Sequence, residues 1–297
     1  MKAVFITTST DNCNPIVGGW AAHANVPPAV IRFNEASPTP DDEGMVDQLK
    51  EYAPDVVFYI GSARLPGNPR PSVLAEIRHL FPHIHICFDG ADSPWWEILL
   101  QYKQARCFDL QVNIDGGSCP TADLVTLPPM DPRPYVLPDV QKIRRAGFAG
   151  FTANTYRGTV INPLIQKRLV ELRHRKAGYR NSDYQEFAQW LCETRITVNT
   201  ALTGTNLRRH VKGRIIEVGL AAVCVLEDGA SPTKIWFKPG EEFLPWSHPT
   251  EIEYMLRNIS DAEAERIGRN LQSAIREKYS ARIIYGAMLA KAQEARR

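Results

Sequence analysis

Short apolar runs separated by helix-length amphipathic stretches recur along most of this chain, and no other feature narrows its possible folds so sharply. Asp55–Ile60 (DVVFYI) and Ala222–Leu226 (AVCVL) are too brief for helices and end at Gly or at charged residues. That is the pattern of strands buried on both faces of a parallel sheet. The first half reads as strands at Ala3–Thr7, Ala29–Phe33, Asp55–Ile60, His83–Phe88, Phe108–Ile114 and Leu124–Leu127, with helices at Met45–Tyr52, Pro71–Phe81 and Trp95–Lys103. A loop holding Asp11, Asn14 and Gly18-Gly19 is expected after the first strand. Strands alternating with helices argue an α/β fold with a doubly wound sheet.

Leu127–Pro138 holds five prolines and continues neither a helix nor a central strand. We place a domain boundary there, giving residues 1–137 and 138–280. The alternation then resumes, with strands at Phe148–Ala153, Arg195–Thr200 and a short Lys234–Phe237. Helices are expected at Pro163–His174, Asp183–Glu193, Pro249–Asn258, Asp261–Tyr279 and Ala281–Ala295, with Ser260-Asp261 capping the fourth of these.

Composition excludes several classes. A formal charge of +2 gives no global signal for a polyanionic partner, and 44% hydrophobic with 23% charged residues suits a soluble globular protein. Six cysteines are scattered without a C-x-x-C or a histidine at zinc spacing, so we expect free thiols, a reducing cytoplasmic compartment and no metal site. The apolar run after Lys2 is too short for a signal peptide, and nothing approaches the roughly 18 apolar residues of a membrane span.

Chemistry concentrates in Asn199–Asp228. Val211, Ile215, Val218 and Ala222 follow the spacing of one buried helix face, and a short apolar strand ending in Glu227-Asp228 follows. Before that helix, the Thr203–Asn206 loop with Gly204 frees backbone amides, while Arg208, Arg209 and Lys212 add positive charge. Together with a helix start, these suit a phosphate. Arg214 and Glu217 share a face, so a cation near a phosphate and a carboxylate on ribose hydroxyls would bind a nucleotide. The same spacing equally makes an ordinary surface ion pair.

Arg214-Ile-Ile-Glu217-Val-Gly-Leu-Ala-Ala-Val-Cys-Val-Leu-Glu-Asp resembles the R-x-x-E-x-x-x-x-G helix and following strand of GT-B glycosyltransferases, nearest their CgeB-like, group 1 type. Phe237–Leu244 and His248–Leu256 continue the likeness, which covers roughly residues 185–290. It departs where Ala221-Ala222 replaces the usual small Gly. The resemblance implies two Rossmann-like domains facing across a cleft, with segment 281–297 packing back on the first. It also implies that Glu217 binds the donor ribose, that Gly18-Gly19 faces donor phosphates or acceptor, and that Arg157 lies near the donor diphosphate.

Strand ends supply the remaining candidates. Asp89, Asp109 and Asp115 could each deprotonate an acceptor hydroxyl, or simply make turns. Asp89 is preferred as the base because Trp95-Trp96 behind it could form a sugar-stacking wall. Lys167–Arg180 carries six Lys or Arg residues. This segment suits a solvated helix end, a base contact through Tyr179, or a track for an acceptor such as DNA. His83 and His85 share one side of a strand, where satisfied histidines are the default.

The expected activity is transfer of a sugar from a nucleotide sugar, a UDP-sugar above others, to a hydroxyl acceptor. The nucleotide sugar is a co-substrate and no cofactor is expected; the missing D-x-D agrees with metal independence. The acceptor, whether small glycoside, protein or DNA, is left open. Epimerisation of a nucleotide sugar and non-catalytic nucleotide binding are the rival readings.

Overall fold

The computed structural model describes residues 1–8, 14–35, 37–61, 66–88, 90, 92, 96–150, 152, 156–173, 181–202 and 208–297. They form two compact units, Met1–Asp131 with Ala281–Arg297, and Pro132–Ser280. The division falls at 131/132, where the proline run is already under way, and not at 137/138.

In the first unit the elements are β1 (Ala3–Thr8), α1 (Asn14–Ala24), β2 (Ala29–Phe33), α2 (Asp42–Tyr52), β3 (Val56–Ile60), α3 (Pro71–Leu80), β4 (His83–Cys87), α4 (Trp96–Gln104), β5 (Leu110–Asn113) and β6 (Leu124–Val125). Their sheet has the order β2-β1-β3-β4-β5-β6, and every pairing is parallel. β1 and β3 are buried along their whole length, as two-sided coverage requires.

Helix α1 corrects one expectation. Gly18 and Gly19 lie inside it, not in a loop. Pro15 suits the first turn, and Ile16 and Trp20 recur at i and i+4 on its buried side. The glycines serve close approach: a Cβ on Gly19 would stand 1.9 Å from the Pro129 carbonyl oxygen, and one on Gly18 2.5 Å from an Asp131 carboxylate oxygen.

The second unit contains β7 (Arg144–Ala149), α5 (Tyr156–Gln166), β8 (Glu171–Arg173), α6 (Asn181–Cys192), β9 (Thr194–Val198), α7 (Arg214–Leu220), β10 (Cys224–Asp228), α8 (Thr233–Trp236), β11 (Leu244–Trp246), α9 (Pro249–Asn258) and α10 (Asp261–Lys278). This sheet is also parallel, in the order β11-β10-β9-β7-β8. Its core joins Ile196, Val198, Leu226 and Trp246 to Ile161 and Leu164 of α5 and Ile267 of α10. Ser260 caps α10 by accepting from the Glu263 amide at 3.1 Å.

Three local readings change here. The helix expected at 163–174 starts at Tyr156, with Pro163 inside it, and Glu171–Arg173 is a strand. Residues 234–237 are mostly helix, because Pro232 and the Ser231 hydroxyl, which accepts from the Thr233 amide at 3.2 Å, form a helix start. Ala222 does not extend the buried face of α7, since the helix ends at Leu220 and Ala222 turns left-handed with φ 51°.

The last helix, α11 (Ala281–Arg296), belongs to the first unit. Tyr285 is fully buried among Phe5, Trp20 and Phe58, and its hydroxyl donates to the Ile16 carbonyl at 2.7 Å. Asp109 holds the far end of the helix. Its carboxylate accepts from Arg78 Nε at 2.9 Å, the His83 amide at 2.9 Å and Arg296 Nη1 at 2.8 Å. An Asp109→Ala protein is therefore expected to lose about 2 kcal/mol of stability by urea unfolding, since two charged donors and a buried amide lose their acceptor. An unchanged midpoint would show that Asp109 does not anchor the helix.

Candidate functional site

Ligands of doubly wound sheets sit beyond the carboxyl ends of the strands, where the winding reverses. In the second unit that point lies between β7 and β9, because β7 is followed by β8 on one side and by β9 on the other. Gly150 and Asn199, the first residues beyond these two strands, therefore emerge side by side.

On the β7 side Gly150 turns out of the strand with φ 154°, a conformation that side chains resist. A Cβ there would be 3.8 Å from Arg157 Nη1, so the guanidinium lies back over the strand end. Gly158 keeps the turn tight: its hypothetical Cβ meets the Thr152 carbonyl oxygen at 2.0 Å.

On the β9 side the Leu202–Arg209 antiparallel bridge and the His210 amide, donating to the Ala201 carbonyl at 3.0 Å, draw segment 208–212 back against the strand exit. Arg209 Nε donates to Asp228 Oδ2 at 3.0 Å, while Asp228 Oδ1 accepts from the Ala230 amide at 3.0 Å. Arg208 is exposed and Lys212 half-buried. Glu227 is fully buried at the end of β10. Its Oε2 accepts from Asn199 Nδ2 at 2.6 Å, and its Oε1 has no hydrogen-bond partner among the described residues. Burial pushes its carboxyl up to about 8; neighbouring Asp228 adds to this, against Asn199, Ser231 and Lys212. At neutral pH Glu227 therefore carries its proton.

Helix α7 presents Arg214 and Glu217 one turn apart, with Nε and Oε2 separated by 3.4 Å. The Arg214 guanidinium lies 4.7 Å from the centre of the Phe187 ring on α6, which fixes its plane. Beside them Tyr135, in a 3-10 turn at Arg133–Tyr135, shares a 2.8 Å hydrogen bond with the Tyr184 hydroxyl. Burial, then Tyr184 and Glu217, hold the Tyr135 phenol well above its ordinary range. The tip of α7 offers few free donors. It has 7 residues, and the amides of Ile215, Ile216 and Glu217 already donate to the Lys212 and Gly213 carbonyls. Positive charge here comes from side chains.

Arg157, Arg208, Arg209, Lys212, Arg214 and Glu217 thus all belong to the second unit, whereas Gly18 and Gly19 sit in α1 of the first. Asp89, Tyr179 and Gly204 lie outside the described residues. Asp115 makes a turn at the end of β5, with Oδ1 accepting from Asn113 Nδ2 at 2.6 Å and the Gly117 amide at 3.0 Å. His83 and His85 are buried and neutral, lowered by burial to about 3 and about 4. Phe187, Tyr135, Tyr184 and Asn199 escaped the sequence reading. Only the tyrosine inside the proline run and the Asn at a strand end could have signalled them.

The profile of the family described as "Glycosyl transferase-like" matches residues 157–290, from α5 into α11. No curated protein matches the chain in sequence. In fold it is similar to HepE of Anabaena in complex with UDP-glucose, at 12% identity over 99% of this chain and 100% of that one, TM-score 0.59. It is similar, too, to sucrose-phosphate synthase from Thermosynechococcus elongatus, at 12% identity over 100% of both chains, TM-score 0.58. A glycosyltransferase from Rickettsia africae aligns at 9% identity over 99% of this chain and 98% of that one, TM-score 0.57. At such identities the likeness is one of fold, and the fold is GT-B.

Proposed function

We infer the reaction from the likeness of residues 157–290 to the glycosyl transferase-like family and from the fold, and we propose that the chain is a GT-B glycosyltransferase of the group 1 type that moves a sugar from a UDP-sugar to a hydroxyl acceptor without a metal ion. The observation that carries this is Glu217, held by Arg214 one turn away, inside the family-matching stretch and beside the strand ends where a ligand belongs. We assign its carboxylate to the ribose hydroxyls of the donor. HepE's complexes with UDP and UDP-glucose support uracil as the base of the donor.

In this reading the bond from the sugar's anomeric carbon to the β-phosphate oxygen breaks, and its electron pair stays on the phosphate. The acceptor oxygen forms the new bond, and its proton passes to a base, for which Asp89 is our choice. Arg157, Arg208 and Lys212 would meet the charge that develops on the diphosphate. Arg209 already serves Asp228, so it would contribute mainly by holding segment 208–212 in place.

Calorimetric titration with UDP tests the assignment. Glu217→Ala is expected to weaken UDP roughly 10- to 100-fold, the worth of one or two hydrogen bonds to a charged group. Equal affinity in parent and variant removes Glu217 from the donor site. Failure of the parent to bind UDP at all sinks the donor assignment. Slow release of free sugar from UDP-glucose without acceptor separates a transferase from a non-catalytic binder.

A further inference from the structure

We propose that the first unit holds a second anion site, built for a small organic phosphate monoester, at the amino-terminal end of its own parallel strands. A cavity of about 540 Å³ opens there beside the start of β5. The end of α4, Arg78 of α3 and the last turns of α11 complete its walls. That volume suits a phosphorylated sugar better than a bare ion.

The charges lining it are not all spent. Asp109 is saturated by Arg78, Arg296 and the His83 amide. Asp123 accepts from Lys103 Nζ at 2.7 Å and the Gln111 amide at 2.9 Å. Arg106 and Lys291 remain. Among the described residues neither side chain takes part in a hydrogen bond or ion pair, yet both line the cavity. One guanidinium and one ammonium over a shared hollow match the two charges of a phosphate ester, the first as a fork and the second as a point charge. Half-buried Phe108, which also lines the cavity, supplies an apolar wall for the rest of the ligand. Glu294, exposed and one turn beyond Lys291, is the uncommitted carboxylate of the lining, and it opposes an anion.

Because Lys291 lies on α11 and Arg106 follows α4, such a ligand would bridge the carboxy-terminal helix to the sheet unit it covers. Binding therefore reads out as stabilisation of the whole chain.

The experiment is calorimetry and thermal unfolding of the full chain with glucose 6-phosphate, with inorganic phosphate and with chloride at matched ionic strength. Glucose 6-phosphate is expected to bind, and to raise Tm by about 5 °C at roughly 100-fold above its Kd. Inorganic phosphate should bind more weakly. The double substitution Arg106→Ala, Lys291→Ala should raise the Kd at least about 10-fold. It should leave the ligand-free Tm and UDP binding in place. Glu294→Gln, on the exposed face, should tighten binding about twofold to threefold by removing a like charge. Absence of binding to the parent overturns the proposal. So does undiminished binding to the double variant, or binding abolished by Glu217→Ala, which would place the ester in the nucleotide site.

Discussion

Replacing Gly19 with alanine is expected to cost about 3 kcal/mol or more of unfolding free energy, where the same exchange in an open helix adds up to about 1 kcal/mol. The two effects have opposite signs, so the experiment is decisive. Gly19 sits in the middle of α1, and helix propensity alone favours alanine. A Cβ at this position, however, lands 1.9 Å from a backbone carbonyl oxygen and 3.3 Å from the Ala281 side chain, and no rotamer change can move a carbonyl aside. Gly286 in α11 is the internal control, because a Cβ there meets nothing within 4 Å among the described residues. Gly286→Ala should stabilise by about 0.5–1 kcal/mol. Urea unfolding of both variants checks the pair; a Gly19→Ala protein as stable as the parent would mean that α1 does not press on the 127–131 segment.

Two glycines in a row after a first strand look like a turn, and sequence alone cannot tell a turn glycine from one that lets a helix approach a backbone. The deciding atom, the Pro129 oxygen, comes from a segment more than a hundred residues downstream. The strands were far more legible. Ala29–Phe33 falls where its apolar run places it, although as an edge strand it buries only Phe33 and leaves Val30 exposed. Pro249–Asn258 is equally plain, with Pro at its first turn and an amphipathic face. Pro163 misled because proline was read as a start, whereas a helix tolerates it inside at the loss of one hydrogen bond. In the candidate site the Arg214–Glu217 spacing was readable, being local. The rings that flank it, Phe187 on α6 and Tyr135 in the proline run, were not, since only tertiary contact brings them together.

The second large effect concerns pH. Glu227 has a folded pKa of about 8 against an ordinary value of 4.5, so between these limits the folded state keeps a proton that the unfolded chain has released. Stability then falls as pH rises: the contribution is full below about pH 4.5 and gone above about pH 8, at up to about 1.4 kcal/mol per pH unit within the window. Glu227→Gln keeps the shape and an uncharged amide, so its unfolding free energy is expected to be flatter with pH by about that slope. Near pH 8 it should therefore gain on the parent relative to pH 5. The loss in the parent should fall on segment 208–212, which packs by the same strand end, so UDP affinity should decline on the alkaline side in the parent and less in the variant. Parallel stability curves for the two proteins between pH 5 and 8 would show that Glu227 is ionised when folded.

The burial of Tyr285 between Phe5, Trp20 and Phe58 has a consequence for how the polypeptide is made. During translation the amino-terminal sheet emerges first but lacks the aromatic ring that completes its interior, and must wait while the entire intervening unit is synthesised. Throughout that delay Phe5, Trp20 and Phe58 are incompletely covered, a surface for chaperones to hold and for neighbouring nascent chains to meet. Removing α11, or interrupting synthesis before it, leaves the opening half of the molecule, not the closing half, as the part that aggregates.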